Sequence, residues 1–146
     1  QGIHIITVSR DRTICVPASE VWRLLREFSD ISWAGEMGRV ECEGSGVGMI
    51  RRIFVTEESP AEERLDALDD NNMSFDYSVL RGLPMPVKNY TAKVSVSHLD
   101  SSKSLVAWNG SMDADGVTDK EAEAIVGGFY DMLLEKLESY FMASSS

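Results

Sequence analysis

Apolar and polar residues alternate along several short stretches of this chain, and Gly, Pro, Asn, Asp or Ser separates most of these stretches. Alternation with a period of two residues is typical of β-strands that bury one face. The pattern predicts seven strands. They cover residues 3–16, 39–43, 48–56, 62–69, 73–81, 87–99 and 104–112.

Two other segments carry apolar residues at helical spacing. The segment PASEVWRLLREF, residues 17–28, begins with a proline that suits the first turn of a helix. The residues TDKE at 118–121 match a capping box, in which a Thr and a Glu close the start of a helix. They predict a last helix over residues 118–142. Its apolar stripe comprises Ala122, Val126, Phe129, Leu133, Leu137 and Tyr140.

The order of these elements indicates the fold class. Connections between the later strands are too short for the crossovers of a parallel sheet, so neighbouring strands should be antiparallel. The sequence therefore predicts an α+β helix-grip fold, in which a curved seven-stranded antiparallel sheet surrounds the long C-terminal helix. A chain of 146 residues is large enough for one core and too small for two, so residues 1–146 should form a single domain.

An acidic residue begins the apolar row of the strand predicted at 62–69. Glu63, Leu65 and Ala67 share one face, and the two apolar members should turn that face towards the interior. A carboxylate moved inside costs several kcal/mol unless it is paired. An inward Glu63 therefore predicts an inward arginine or a wet cavity. The pattern leaves a second possibility open, in which Glu63 reaches solvent past the rim of the sheet.

Two adjacent arginines are candidate partners for this carboxylate. In GMIRRIFV, Arg51 and Arg52 each share a face with apolar neighbours, so alternation alone does not choose between them. Tyr77 and Tyr90 belong to the inward rows of their own strands. A glutamate, an arginine and two tyrosines inside an apolar pocket would suit a small ligand with one or two polar groups.

The charge balance narrows the possible partners. The formal net charge is −10, from 14 Lys and Arg against 24 Asp and Glu. Proteins that bind nucleic acids or anionic membrane surfaces cluster Lys and Arg, and because no such cluster occurs we expect neither partner. No apolar run approaches the roughly 20 residues of a membrane span. The only cysteines, Cys15 and Cys42, predict buried thiols in the reducing cytoplasm rather than a disulfide scaffold.

Other motifs predict neither a metal site nor a cofactor. The glycines of GSGVG precede a strand rather than a helix, so we expect a hairpin turn and no phosphate cradle. The segment SMDADGVTDKEA, residues 111–122, resembles a calcium loop but lacks the acidic residues at its first and last positions. His4 and His98 lie far apart, without Cys or carboxylate neighbours at ligand spacing.

Two glycines stand in the middle of the predicted last helix. Gly127 and Gly128 each cost about 1 kcal/mol there relative to alanine. The pattern permits two interpretations, namely close packing of the helix on the sheet or a bend that makes room for a ligand.

Four segments carry a resemblance to a known family. In order along the chain they are PASEVWRLLREF, GMIRRIFV, ERLDALDDNNMSFDYSVL and NYTAKVSV. They resemble the polyketide cyclase/dehydrase-like branch of the START, or SRPBCC, superfamily, which has the birch-pollen-allergen fold. The resemblance implies the helix-grip fold and an internal cavity between the sheet and the long helix.

Within that superfamily, the segments are most similar to plant lachrymatory-factor-synthase-like proteins and more distantly similar to plant abscisic-acid receptors. The first similarity implies that Arg51 of GMIRR and Glu63 of EERL are catalytic. It also implies that Tyr77 and Tyr90 are catalytic tyrosines of the pocket. The lysine that anchors the hormone in the receptors has no counterpart, since residues 27–50 contain no Lys, so we do not expect a hormone receptor.

The resemblance also implies an orientation and a function. Arg51 should point inward and Arg52 outward. Glu63 could accept a proton from a bound molecule and return it, while Arg51 holds a developing oxyanion. Tyr77 or Tyr90 could donate a hydrogen bond to the same oxygen.

We therefore expect a cyclase, dehydratase or isomerase that needs no cofactor and acts on a small, mostly apolar molecule. The alternative is a non-catalytic carrier or sensor of such molecules. The sequence predicts no oligomeric state. The expected lining of the cavity is Leu65, Phe75, Tyr77, Tyr90, Ile125, Phe129 and Leu133.

Overall fold

The computed structural model describes residues 5–144, so the predictions for His4 and for the first residues of the first strand lie outside it. The elements follow the predicted order, and a 3-10 turn, Ser32–Ala34, precedes the second strand. The strands are β1 (Ile6–Ile14), β2 (Arg39–Glu43), β3 (Ile50–Phe54), β4 (Ala61–Asp69), β5 (Ser74–Arg81), β6 (Val87–Asp100) and β7 (Lys103–Ala114). The helices are α1 (Ala18–Leu25) and α2 (Asp119–Ser144).

The strands form one sheet in the order β1-β7-β6-β5-β4-β3-β2. Every neighbouring pair is antiparallel. The sheet curves around α2, which packs on β1 and β7. This arrangement confirms the predicted α+β helix-grip fold.

The helix α2 begins at the predicted capping box. The backbone N–H of Glu121 donates to Oγ1 of Thr118 at 3.1 Å, and the backbone N–H of Thr118 donates to Oε1 of Glu121 at 3.2 Å. These bonds satisfy two backbone donors that the first turn would otherwise leave unpaired. Neither of the two described helices is both long and apolar enough to cross a membrane.

The buried face of α2 differs in part from the predicted stripe. Tyr140 is 40% exposed, so its prediction as a buried residue is wrong, and Phe129 is only partly buried. Tyr130 takes the central position of the buried row and is 0% exposed. The most buried residues of the helix are Ala122, Val126, Tyr130, Leu134 and Leu137.

Strand β4 changes faces at a β-bulge. Glu63 and Leu65 point inward as predicted, but Ala67 is exposed and Leu68 turns towards the core instead. The pairing with β5 shifts register between Leu65 and Ala67, which leaves Asp66 as the extra residue. An inserted residue reverses the alternation beyond it. The inward prediction for Ala67 is therefore wrong.

The two mid-helix glycines have different surroundings. A β-carbon on Gly127 would lie 2.2 Å from Nη2 of Arg10 on β1, whereas a β-carbon on Gly128 would meet nothing within 4 Å. Because Gly127 has no side chain, the guanidinium of Arg10 can lie close to the backbone of α2. This supports the packing interpretation for Gly127.

Both cysteines are free and exposed, so the prediction of buried thiols is wrong. Cys15 follows the last buried residue of β1, and Cys42 lies on β2, an edge strand with little burial. A cytoplasmic location, inferred from these thiols, stays a prediction.

Candidate functional site

Arg51 of β3 and Glu63 of β4 form a buried ion pair on the inner face of the sheet. They stand directly opposite each other in the strand register, and each is 8% exposed. Nε and Nη2 of Arg51 both lie 2.7 Å from Oε1 of Glu63. Both nitrogens contact the same carboxylate oxygen. No other residue among 5–144 donates a hydrogen bond to Oε2 of Glu63, so this second oxygen has no partner there.

The segment after α1 holds the same arginine from its other side. Nη1 of Arg51 donates to the carbonyl oxygen of Phe28 at 2.8 Å. The guanidinium carbon lies 3.8 Å from the centroid of the Phe28 ring and 5.6 Å from that of Tyr77. Stacking on aromatic faces and charge-assisted hydrogen bonds both favour the guanidinium ion in this position. The cation is therefore fixed before any ligand arrives.

The neighbouring arginine faces the other way. Nε of Arg52 lies 2.8 Å from Oε2 of Glu62, and its Nη2 lies 2.9 Å from Oε1 of Glu43. The Arg52 side chain is 28% exposed. Adjacent residues of a strand point to opposite faces, and the predicted orientations of the two arginines are confirmed. The catalytic roles of Arg51 and Glu63 stay predictions.

Three tyrosines form a chain of hydroxyl groups beside the ion pair. The hydroxyl oxygens of Tyr77 on β5 and Tyr90 on β6 are 3.3 Å apart, and those of Tyr90 and Tyr130 are 2.5 Å apart. The indole Nε1–H of Trp108 on β7 donates to the hydroxyl of Tyr77 at 3.1 Å. The structure therefore brings the predicted pair of tyrosines together and joins them to a third.

A glycine on β7 makes room for that third tyrosine. A β-carbon on Gly110 would lie 2.0 Å from the hydroxyl oxygen of Tyr130. Any side chain at this position would therefore displace the hydroxyl from Tyr90. Gly110 lies on the buried face of β7 with Trp108. This one strand therefore supplies both the indole N–H that donates to Tyr77 and the space that the Tyr130 hydroxyl occupies.

Burial keeps these phenols in the neutral form. The pKa of Tyr77 is raised to about 12, first because burial disfavours the phenolate and next because the carboxylate of Glu63 is nearby. Burial likewise raises the pKa of Tyr90 and the pKa of Tyr130 above the ordinary value of 10.0. Near neutral pH, all three therefore act as hydroxyl groups that donate and accept hydrogen bonds.

Two small cavities lie next to this cluster, with volumes of about 50 and 130 Å³. The smaller one also reaches Arg51 and Trp108, and the larger one reaches Tyr90. Pockets for drug-sized ligands measure roughly 300–1,000 Å³, so room for a molecule of that size stays a prediction. Five residues line both cavities: Met37, Ile53, Glu63, Tyr77 and Phe129.

An open depression on the surface borders the smaller cavity. It runs along the segment from Ser29 to Val40, has a volume of about 530 Å³, and shares Ile31 and Met37 with the cavity. Two of the residues over the larger cavity, Leu83 and Met85, belong to the loop between β5 and β6. Residues of two connecting segments, one before β2 and one between β5 and β6, therefore contribute to the walls of the cavities.

The predicted lining is only partly present. Tyr77, Tyr90, Phe129 and Leu133 line a cavity. Ile125 is 43% exposed, so its predicted place in the lining is wrong, because α2 turns this residue away from the sheet.

Two further residues of the predicted lining are buried but line neither of these two cavities, so their place in a ligand site stays a prediction. Phe75 packs its ring against the rings of Trp22 and Phe28, which fill the space under α1. Leu65 is 2% exposed and belongs to the same core. Both side chains point inward as predicted, and Phe75 contacts Trp22 of α1.

Sequence reasoning missed Trp108, Gly110 and Tyr130. The first two lie on the buried row of β7, which alternation along that strand could have identified. Tyr130 lies four residues after Val126 and eight after Ala122, a helical spacing that also marks the buried face.

Across residues 5–144, no three or more His, Cys, Asp and Glu side chains are grouped to hold a metal ion. His98 is exposed on β6. The segment that resembles a calcium loop instead ends β7 and runs into the capping box of α2.

Comparison with known families gives one match over most of the chain. The profile of the family described as "Polyketide cyclase / dehydrase and lipid transport" matches residues 6–141. No functionally curated protein matches the sequence. The more specific similarity to lachrymatory-factor-synthase-like proteins stays a prediction.

Several solved structures share the fold. The XoxI protein of Bacillus cereus is 25% identical with a TM-score of 0.84, over 96% of this chain and 98% of that one. An uncharacterised protein of Bacillus thuringiensis is also 25% identical, with a TM-score of 0.81, over 94% and 99%. Norcoclaurine synthase of Thalictrum flavum, solved with dopamine and hydroxybenzaldehyde, has a TM-score of 0.77 over 98% and 90%. It is 12% identical, and this likeness shows the fold alone.

Proposed function

The chain belongs to the polyketide cyclase/dehydrase and lipid transport family, and we propose that it binds a small, mostly apolar molecule beside the Arg51–Glu63 pair and acts on it by acid–base chemistry. The reaction would be that of a cyclase, dehydratase or isomerase whose own side chains move the proton. The partner is then a small hydrophobic substrate rather than a macromolecule.

One observation carries this proposal. Oε1 of Glu63 accepts both contacts from Arg51, whereas Oε2 has no partner in the described part of the chain, and Glu63 lines both cavities. A carboxylate oxygen next to a cavity can accept a proton from a molecule bound there. The hydroxyl of Tyr77 and the guanidinium of Arg51 border the same space and can stabilise negative charge on an oxygen atom.

These groups fit a substrate that carries a carbonyl. Glu63 would take a proton from the carbon next to the carbonyl, and the electrons of the broken C–H bond would move onto the carbonyl oxygen. Return of the proton to another carbon is an isomerisation. Loss of a hydroxyl group from the adjacent carbon, protonated as it leaves, is a dehydration. Attack of the carbanion on a second carbonyl of the same molecule closes a ring.

A non-catalytic carrier or sensor is the second candidate. The family description includes lipid transport, and most side chains around the two cavities are apolar. In a carrier, the same polar groups would only orient the ligand.

Exchange of a carbon-bound proton separates the two candidates. Acetophenone combines an apolar ring with one carbonyl and exchangeable methyl protons, and its deuteration in deuterium oxide is followed by NMR. We expect wild-type protein to accelerate the exchange and Glu63→Gln to lower the rate by about 10²–10⁴-fold. Acetophenone should still bind to the variant.

Glu62→Gln is the matched control, because Glu62 lies next to Glu63 on β4 and pairs with Arg52 on the outer face. It should leave the exchange rate unchanged. Binding without exchange in the wild type would favour the carrier, and absence of binding would contradict both candidates.

A further inference from the structure

The hydroxyl chain of Tyr77, Tyr90 and Tyr130 has a hydrogen-bond donor at one end. An indole N–H donates and never accepts, so the bond from Trp108 uses an acceptor site of the Tyr77 hydroxyl. The proton of Tyr77 remains available for another partner.

The other end of the chain is closed. Tyr130 is 0% exposed and lines neither cavity, and within residues 5–144 the hydroxyl of Tyr90 is its only hydrogen-bond partner. If Tyr90 donated to Tyr130, the proton of Tyr130 would be buried without an acceptor, which costs about 1–3 kcal/mol. Tyr130 therefore donates to Tyr90.

The hydroxyls of Tyr77 and Tyr90 together have one more proton than they have acceptors among the hydrogen-bonded groups. Tyr77 accepts from Trp108, and Tyr90 accepts from Tyr130. The two hydroxyls have two protons but share only one mutual contact, at 3.3 Å. One proton therefore has no acceptor among the hydroxyl groups of the three tyrosines. Tyr77 lines both cavities and Tyr90 lines the larger one, so that proton is directed into the space beside Glu63.

We infer that Trp108 and Tyr130 are positioning residues, which hold one hydroxyl proton of the Tyr77–Tyr90 pair towards the cavity, so that the site selects small molecules with an oxygen acceptor. Hydroxyls that already accept hydrogen bonds are stronger donors, because linked hydrogen bonds polarise one another. The donor then lies in the same cavity as the free Oε2 of Glu63.

This inference rests on the proposed function and narrows it to the kind of ligand. A carbonyl compound offers an acceptor oxygen to the tyrosine pair and an acidic C–H bond to Glu63. A pure hydrocarbon of the same shape offers neither. The tyrosine pair therefore acts as a filter for oxygenated ligands, whatever reaction follows.

The direction of the chain can be measured without any ligand. The Raman Fermi doublet of tyrosine distinguishes a phenol that only donates from one that only accepts. The difference spectrum between unlabelled protein and protein that carries ring-deuterated tyrosine at position 130 alone isolates Tyr130 among the four tyrosines and leaves its hydrogen bond to Tyr90 intact. We expect the pattern of a donor. The pattern of an acceptor would overturn the inference, because Tyr90 would then donate outwards.

Ligand selection is tested with two probes of the same carbon skeleton, acetophenone and ethylbenzene, which differ in the carbonyl. Wild-type protein should prefer acetophenone by about tenfold, the value of one good hydrogen bond. Tyr77→Phe should remove most of this preference. Tyr130→Phe should reduce it to about threefold, because the Tyr90 hydroxyl then loses the hydrogen bond that polarises it and makes it a stronger donor.

The ratio of the two affinities separates positioning from a purely structural role, since general damage to the cavity would weaken both probes alike. Tyr140→Phe is the control with the same substitution on an exposed part of α2, and it should leave the ratio unchanged. An unchanged ratio in Tyr130→Phe would overturn the positioning role. Equal affinity of wild type for both probes would contradict this inference alone, whereas failure of both to bind would contradict the proposed function.

Discussion

Arg51 and Glu63 face each other directly across β3 and β4, with the guanidinium 2.7 Å from the carboxylate, on the inner face of the sheet. The next residues on these strands, Arg52 and Glu62, are also direct partners in the register and form the same kind of pair on the outer face. The fold thus contains a buried ion pair and a matched, more exposed one, which allows each to serve as a control for the other.

Arg51→Met should destabilise the protein by about 3–5 kcal/mol, because it leaves the carboxylate of Glu63 buried without a partner. Arg52→Met should destabilise the protein much less, because water and salt weaken an ion pair near the surface. Urea unfolding of both variants measures the difference. In the double variant Arg51→Met with Glu63→Leu, most of the lost stability should return, because no unpaired charge remains. A larger effect of Arg52→Met would contradict the assignment.

Gly110→Ala should destabilise the protein by about 1–3 kcal/mol, the typical cost of overpacking a core. The added methyl group would lie 2.0 Å from the hydroxyl oxygen of Tyr130. Combining it with Tyr130→Phe, which removes that oxygen, should cost less than the sum of the two single substitutions. Denaturant unfolding of the four proteins gives this coupling. Strict additivity would mean that Gly110 does not hold space for the hydroxyl.

Gly128→Ala should stabilise the protein by about 0.5–1 kcal/mol, since alanine favours the helix and the added methyl group meets nothing within 4 Å. Gly127→Ala is the neighbouring control. Its methyl group would displace the guanidinium of Arg10, which lies 3.4 Å from Asp131, so the gain should be smaller. Thermal melts compare the two variants. An equal gain in both would show that Gly127 is not needed for the passage of Arg10.

Stability should fall between pH 10 and pH 12 in a way that depends on Tyr77. The pKa of Tyr77 is raised to about 12 in the folded protein, from the ordinary 10.0 of an unfolded chain. Between these values the unfolded chain loses the proton while the folded protein retains it, so unfolding becomes more favourable as the pH rises. The stabilisation is complete below pH 10 and is lost as the pH rises towards about 12.

The measurement is urea unfolding at several alkaline pH values, with phenolate absorbance to follow ionisation. Tyr77→Phe should show a shallower decline over this range, because one phenol no longer contributes. Equal slopes in wild type and variant would contradict a raised pKa for Tyr77.

Short-range patterns were sufficient for the secondary structure and for several inward side chains. The capping box depends on two residues three positions apart, Thr118 and Glu121, and its bonds form as predicted. Alternation within β5 and β6 likewise placed Tyr77 and Tyr90 on the buried face. Such features are local, because the period of a strand or a helix is a property of the backbone.

The choice between Arg51 and Arg52 needed more than local pattern. Both share a face with apolar residues, and only the resemblance to a family indicated which of the two points inward. The structure decides it through the register of β3 on β4, which sets Arg51 opposite Glu63.

Only the tertiary structure decided how these elements complete the site. An α-helix turns by about 100° per residue, so the rotation of α2 against the sheet determines that Tyr130 is buried and Ile125 exposed. The bulge in β4 and the gap at Gly110 likewise depend on neighbouring strands and on α2. Each of these contacts joins residues far apart in sequence, and packing sets their distances. The sequence by itself therefore determined the helix-grip fold, but its pattern left two orientations open for Glu63. The inward position of Glu63 and the hydrogen-bonded row of three tyrosines were decided by tertiary packing.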